Sequence, residues 1–169
     1  MHDFTLPATD GETYNARDCM GANGLLVMFI CNHCPFVKAI QKKLSTQTGQ
    51  LLDHGINSVA VMSNDPADYS EDSFDNMKKI AQKFAYPFPY LYDQSQAVAK
   101  TFGAICTPDF FGYNKDFELQ YRGRLDASGP SQSNEDLKQE LLEAMILIAE
   151  TGRGPEHQTP SVGCSIKWR

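Results

Sequence analysis

The sequence predicts an α/β protein in which helices flank a central mixed β-sheet. Residues 25–30 and 56–62 form two short, mainly apolar segments, which is the composition of strands buried on both faces of a sheet. Each is followed by a segment whose apolar residues recur at helical spacing, and alternating apolar residues on either side of Lys115 predict an antiparallel hairpin. Parallel strands joined by helices and extended by a hairpin give a mixed sheet covered by helices.

Turn and cap signals predict the elements of the first two thirds of the chain. An Asp-Gly pair at residues 10–11 predicts the turn of a small N-terminal β-hairpin. The first long helix is predicted over residues 34–52 and the next over residues 70–84, whose apolar residues share one face. Residues 93–96 resemble a capping box, which predicts a short helix that ends at Phe102.

The last third of the chain predicts a hairpin, a helix and a tail. Strands are predicted over residues 110–113 and 117–124, followed by a helix capped by Ser133. The apolar face of this helix comprises Leu137, Leu141, Leu142, Met145 and Ile148. The following residues are rich in Gly and Pro and have no helical or strand period, so we expect one domain over residues 1–150 and an extended C-terminal tail over 151–169.

Length and charge exclude several classes of function. A chain of 169 residues is long enough to bury a single core without disulfide staples. Its net charge of −6, with scattered basic residues, argues against a nucleic-acid partner. The longest apolar run, residues 25–31, is too short to span a bilayer, and no basic start precedes an apolar segment, so we expect no membrane association and a cytoplasmic location.

A pair of cysteines lies where the first strand meets the first long helix, in the sequence Cys31-Asn32-His33-Cys34-Pro35. Two thiols at this spacing can close a disulfide and reopen it, and the start of a helix favours the thiolate. Proline at the first helical position loses no backbone hydrogen bond. An odd total of five cysteines with one C-x-x-C motif indicates redox chemistry in a reducing compartment.

The chain resembles the thioredoxin fold, in the branch that contains TlpA and ResA thiol-disulfide reductases and the AhpC/TSA peroxiredoxins. The resemblance covers residues 1–150 and depends on the C-x-x-C motif, on Thr107-Pro108 before the hairpin, and on the helix inserted after the second strand. The Cys-Asn-His-Cys-Pro form resembles a bacterial subfamily of these proteins. The resemblance implies a cis Pro108 that faces the dithiol and, with Thr107, presents backbone to a substrate.

The same resemblance implies the roles of the motif residues. Cys31 is expected to attack a disulfide and Cys34 to resolve the mixed disulfide, as in C-x-x-C enzymes. Leu25 stands where thioredoxin has a buried acid, so His33 or a water would accept the second thiol's proton. His33 lies beside the second cysteine as in oxidising members of the fold, which predicts a reduction potential of roughly −270 to −120 mV.

Two other functions remain open at this point. A peroxiredoxin-like thiol peroxidase would use Cys34 as the peroxidatic thiol, resolved by Cys31 or Cys164, with Arg122 and Arg124 as candidate cations for the peroxide. Peroxiredoxins have the pattern P-x-x-x-T-x-x-C. When Cys34 is aligned with its cysteine, Val27 stands in place of the proline and Cys31 in place of the threonine. The motif cysteines and His33 could alternatively hold copper or zinc.

Cys106 and Cys164 are possible auxiliary thiols. Cys106 precedes Thr107-Pro108 directly, and Cys164 follows a glycine in the tail. They are either a buried filler and a free tail thiol, or a second pair that exchanges with each other beside the motif. The leading hypothesis is a thiol-disulfide oxidoreductase that uses the C-x-x-C dithiol and needs no cofactor. Its partners are thiol or disulfide protein substrates and an electron donor such as thioredoxin or glutathione.

Overall fold

A five-stranded mixed sheet forms the centre of the molecule in the computed structural model, which describes residues 1–130 and 134–169. Its strands lie side by side in the order β5 (Tyr90–Tyr92), β4 (Ile56–Met62), β3 (Gly24–Phe29), β7 (Asp109–Asn114) and β8 (Leu119–Gly123). Strands β3, β4 and β5 are parallel, and β7 and β8 are antiparallel to their neighbours. The predicted N-terminal hairpin consists of β1 (Thr5–Pro7) and β2 (Thr13–Asn15). The predicted α/β fold with a central mixed sheet is therefore confirmed.

The helices are α1 (Ala16–Cys19), α2 (Pro35–Leu52), α3 (Phe74–Lys83), α4 (Ala97–Phe102) and α5 (Glu140–Thr151). Two further short strands, β6 (Cys106–Thr107) and β9 (Cys164–Ser165), pair with each other outside the central sheet. In the described part of the chain, no helix has the length and apolar character needed to cross a membrane.

Strand β3 is buried on both faces because helices cover both sides of the sheet. Leu26 and Met28 join an apolar cluster with residues of α2 and α5. Leu25 and Val27 join a second cluster with the N-terminal hairpin and α4 on the other face. Every residue of β3 is buried, which explains why this segment is apolar throughout rather than alternating.

The helix predicted over residues 70–84 is interrupted near its start, so that expectation is corrected. Ser70–Asp72 form a single 3₁₀ turn, and α3 follows it. The backbone of Ser73 is extended, and its hydroxyl accepts a backbone N–H of the first turn of α3. Asp72 therefore precedes the helix, and its side chain reaches the cysteine motif.

Strand β5 was not predicted, because three residues are too few to show a period. It pairs in parallel with β4 and is followed by α4. Asp93, the expected first member of a capping box, accepts the N–H of Ala99, but the residue in the N-cap position of α4 is Gln96. The side chain of Gln96 instead donates to the carbonyl groups of Ser63 and Lys167, so it ties the C-terminal tail to β4.

The last hairpin and helix also differ from expectation. The predicted alternation fails at Leu119, which is 48% exposed, because a bulge after Gly112 shifts the pairing of β7 with β8. Helix α5 begins at Glu140, so Leu137 lies in the preceding turn, and the predicted cap at Ser133 falls outside the described residues. The other predicted apolar residues of α5 are buried.

Candidate active site

The cysteine motif forms the connection between β3 and α2. Cys34 occupies the N-cap position of α2 and Pro35 the first helical position, as the sequence predicts. Cys31 is 1% exposed and Cys34 is 0% exposed, and both are free thiols. As the N-cap residue, Cys34 lies at the positive end of α2, where the unpaired N–H groups of the first turn favour a thiolate.

Thr107 faces both motif sulfurs from the other side of the site. Its hydroxyl oxygen is 3.3 Å from Cys31 Sγ, and its carbonyl oxygen is 3.2 Å from Cys34 Sγ. The Thr107–Pro108 peptide bond is cis, as the resemblance implies. The predicted site residues Cys31, Cys34, Thr107 and Pro108 are therefore brought to one place by the ends of β3 and β6.

A third sulfur lies at the same place. Strand β9 pairs with β6 in antiparallel register, so that Cys164 lies opposite Thr107. Cys164 Sγ is 2.9 Å from Cys34 Sγ. The tail cysteine thus lies against Cys34, the partner that the peroxidase alternative gives it, and not against Cys106.

Cys106 has a different environment. Its sulfur donates to the carbonyl oxygen of Pro108 at 3.5 Å, and burial, followed by the charge of Asp109, raises its pKa to about 12. Within residues 1–130 and 134–169, no sulfur–sulfur contact involves Cys106. Exchange between Cys106 and Cys164 stays a prediction, and the contacts favour Cys34 as the partner of Cys164.

His33 is held by a buried carboxylate. Its Nδ1 is 2.5 Å from Asp72 Oδ2 and 3.7 Å from Cys31 Sγ, and its ring stacks on Tyr69 with centroids 4.3 Å apart. Because an ionised carboxylate can only accept, we assign the ring proton to Nδ1. This nitrogen therefore donates to Asp72 and, more weakly, points its N–H toward Cys31, so it is not free to take a proton from that thiol.

Asp72 is a site residue that sequence reasoning missed. It is 0% exposed and accepts the backbone N–H groups of Asn32 and His33, the His33 ring N–H and the Asn64 side-chain amide. The expectation of a continuous helix from residue 70 placed it on a helix surface. Ser73, a favourable N-cap residue, is the signal that would have placed Asp72 before the helix.

The surroundings of Cys34 favour its thiolate. A hydrogen bond from Cys31 is the largest cause, and with further donors from Cys164 and the backbone of Val37 it outweighs burial and lowers the pKa of Cys34 to about 4. One contact opposes this, because the Thr107 carbonyl oxygen can only accept a hydrogen bond and so favours the thiol. The combined effect of the donors on the pKa of Cys34 is larger than the effect of this one contact.

The surroundings of Cys31 favour its thiol. The hydrogen bond that it makes to Cys34 raises the pKa of Cys31, and burial and the charge of Asp72 act in the same direction. The Thr107 hydroxyl lowers that pKa by a smaller amount. Burial, together with the hydrogen bond to Cys34, also raises the pKa of Cys164 to about 11. Of the three sulfurs at this site, Cys34 is therefore the one whose surroundings most favour ionisation.

The candidate metal and peroxide groups are arranged less favourably. Ligand atoms of Cys31, His33 and Asp72 lie within 4.8 Å of one another, but a metal ion there would have to replace the bond between His33 and Asp72. Arg122 pairs with Asp109, and Arg124 pairs with Glu140. Both cations expected near a peroxide are thus engaged by carboxylates.

Solved structures similar to this chain fall into two groups. The chain is 44% identical to an uncharacterized conserved protein from Geobacillus kaustophilus, with a TM-score of 0.93 over 99% of this chain and 89% of that one. It is 37% identical to a hypothetical protein from Sinorhizobium meliloti 1021, with a TM-score of 0.91 over 99% and 92% of the two chains.

The second group shares the fold alone. The peroxidoxin BcpB from Mycobacterium tuberculosis is 14% identical, with a TM-score of 0.65 over 91% of this chain and 96% of that one. No curated protein sequence matches this chain at a significant level. The model of the AhpC/TSA family matches residues 1–128, which include Cys31, Cys34, Thr107 and Pro108. The chain therefore belongs to the AhpC/TSA family.

Proposed function

We propose that this protein is a thiol-disulfide oxidoreductase whose redox centre is the Cys31–Cys34 dithiol. The observation that carries the proposal is the contact of Thr107 with both motif sulfurs, at 3.3 Å and 3.2 Å. A structural pair of buried thiols needs no such arrangement beside a helix N-terminus. Membership of the AhpC/TSA family supports this class of enzyme.

Cys34 is the sulfur that exchanges with a substrate. Its thiolate attacks one sulfur of a substrate disulfide, forming a mixed disulfide and releasing the other substrate sulfur as a thiolate. The Cys31 thiol then attacks Cys34 Sγ, passing its proton to the departing substrate sulfur. The substrate gains two electrons, and the protein, which loses them, is left with a Cys31–Cys34 disulfide. These roles reverse the sequence-based assignment, because the donors surround Cys34.

His33 and Asp72 position the first thiol. Asp72 binds the backbone of the loop that carries Cys31 and orients the His33 ring, so the ring N–H stabilises negative charge on Cys31 whenever that sulfur is the leaving group. The low pKa of Cys34 supports a reduction potential above that of thioredoxin, because a stabilised thiolate favours the reduced form. In a cytoplasmic location, thioredoxin or glutathione would supply the electrons that reduce the Cys31–Cys34 disulfide again.

Turnover of a protein disulfide tests the proposal. With insulin as the substrate and glutathione as the reductant, Cys34→Ser should lower the rate at least ~100-fold, and Cys31→Ser should also lower it, because serine cannot form a disulfide. Cys106→Ser is the matched control and should retain the rate. Undiminished turnover in either motif variant, or none in the native protein, would sink the proposal.

A thiol peroxidase is the second candidate, and the low pKa of Cys34 is the observation that favours it. A hydroperoxide would oxidise the Cys34 thiolate to a sulfenate, with loss of an alcohol or water, and Cys31 or Cys164 would condense with it. Stopped-flow oxidation by hydrogen peroxide separates the two functions. Fast oxidation that persists in Cys31→Ser supports the peroxidase, and slow oxidation with efficient insulin turnover supports the oxidoreductase.

Metal analysis after purification under reducing conditions tests the copper or zinc alternative.

A further inference from the structure

The C-terminal tail occupies the edge of the site that would otherwise be open to a partner. Strand β9 pairs with β6, and this pairing covers the Cys34 sulfur with Cys164. Cys34 is 0% exposed, whereas Cys164 is partly exposed. An external sulfur therefore meets Cys164 before it can meet Cys34.

The tail is anchored on both sides of Cys164. Before it, the Ser161 hydroxyl donates to the carbonyl of Gly123 at 2.8 Å. After it, the Lys167 backbone exchanges hydrogen bonds with the Asn64 side chain and the Asp65 N–H, and Ile166 is buried in the core. The position of Cys164 is thus set by contacts with the sheet and with the loop after β4.

Gly163 allows the close approach. A Cβ atom at this position would collide with the backbone of Thr107, at its carbonyl oxygen, carbonyl carbon and the following nitrogen. Because these are backbone atoms, a side chain could be accommodated only by moving the tail away. A glycine directly before Cys164 is therefore what permits a sulfur–sulfur distance of 2.9 Å.

We infer that Cys164 is a third redox thiol, which relays disulfide exchange between Cys34 and thiols in solution through a Cys34–Cys164 disulfide. The inference rests on the proposed function of the Cys31–Cys34 pair. It concerns the route by which that buried pair reaches its partners, and it makes the tail part of the active site.

The relay step is an exchange between isomeric disulfides. Cys164 loses its proton and attacks Cys34 Sγ, the Cys31–Cys34 bond breaks, and Cys31 leaves as a thiolate that takes up a proton. No electrons are gained or lost. A thiol such as glutathione then attacks Cys164 Sγ, and Cys34 leaves as a thiolate, the better leaving group because its pKa is lowered. A second glutathione releases Cys164 and yields glutathione disulfide.

Disulfide mapping of Cys31→Ser tests the relay without the first thiol. After equilibration with glutathione disulfide, we expect mass spectrometry to find a Cys34–Cys164 disulfide in excess of the mixed disulfide between Cys34 and glutathione. Cys106→Ser added to this variant should leave the ratio unchanged. Only glutathione on Cys34, with Cys164 free, would overturn the inference.

Gly163→Ala tests the geometry in the same background. The ratio of Cys34–Cys164 disulfide to glutathione mixed disulfide should fall at least ~10-fold. A displacement on the order of 1 Å is enough to lower strongly the reactivity of two groups that depend on being held in position. Gly49→Ala, in α2 with no atom within 4 Å of the added Cβ, is the matched control and should keep the ratio. An unchanged ratio in Gly163→Ala would contradict the relay.

Cys164→Ser separates the relay from the proposed function. Insulin turnover should fall at least ~10-fold while glutathione disulfide still produces the Cys31–Cys34 disulfide, because a buried thiolate without its relay meets external sulfurs slowly. Full turnover in Cys164→Ser would overturn the relay and leave the function intact. A Cys34–Cys164 disulfide in a protein that never reduces insulin would overturn the function and leave the thiol pairing standing.

Discussion

Cys31 and Cys34 are three positions apart but lie in different surroundings. Cys31 meets side chains, namely the Thr107 hydroxyl, the His33 ring and, beyond it, the charge of Asp72. Cys34 meets the start of α2, the Thr107 carbonyl and the tail thiol Cys164. Position within a C-x-x-C motif therefore does not decide which sulfur carries the charge. The groups brought to each sulfur by distant segments decide it.

The largest expected effect is a difference in reactivity between the two motif thiols. At pH 6, iodoacetamide should label Cys34 at least ~1,000-fold faster than Cys31, because a thiol with a pKa above 9 is less than ~0.1% ionised there. The Cys34 rate should be flat above about pH 5 and fall as the pH drops through about 4, its folded-state pKa. Mass spectrometry of labelled peptides measures both. Equal labelling, or faster labelling of Cys31, would show that Cys34 is not the more ionised of the two thiols.

The next effect concerns the hydrogen bond between the two thiols. Cys31→Ala removes the largest cause that lowers the pKa of Cys34, so that pKa should rise from about 4 towards the ordinary thiol value. Thiolate absorbance in the ultraviolet, followed across pH in the reduced variant, gives the new pKa. Cys106→Ala serves as the control. A Cys34 pKa that stays at about 4 would show that the helix and tail alone stabilise the thiolate.

Asp72→Asn should change the surroundings of Cys31, because the charge of Asp72 is a cause of the raised pKa of Cys31. The amide can keep one acceptor oxygen for the two backbone N–H groups, but it places a donor against the His33 ring and the Asn64 amide, so the free energy of unfolding should fall by about 1–3 kcal/mol, measured by urea denaturation. In a Cys34→Ser background, the pKa of Cys31 should also fall, because the charge of Asp72 raises it. Glu71→Gln is the neighbouring control, since its pair with Lys38 is exposed. A merely structural Asp72 would change stability without moving the Cys31 pKa.

The smallest effect is expected at Cys106. Cys106→Ser keeps a donor for the Pro108 carbonyl, so stability should change by about 1 kcal/mol or less, and the labelling rates of Cys31 and Cys34 should be unchanged. Chemical denaturation and peptide labelling measure the two quantities. A change in Cys34 labelling would mean that Cys106 belongs to the redox centre after all.

Much of the scaffold could be predicted because it depends on local patterns. The strand over Ile56–Met62 and the helix that ends at Leu52 match the expectation, since each combines an apolar pattern with a clear stop. Strand β5 and the start of α5 were not predicted. Three residues carry no period, and Leu137 continues the apolar pattern of a helix that has not yet begun.

The α/β fold, the family and the place of two cysteines at a strand–helix junction opposite Thr107-Pro108 could all be predicted from the chain alone. These follow from apolar patterning and from motifs read along short stretches of chain. Only the tertiary structure brought Asp72 to His33, 39 positions away, and Cys164 to Cys34, 130 positions away. The physical reason is that a pKa depends on charges and donors within a few ångströms in space, and separation along the chain does not determine which groups those are.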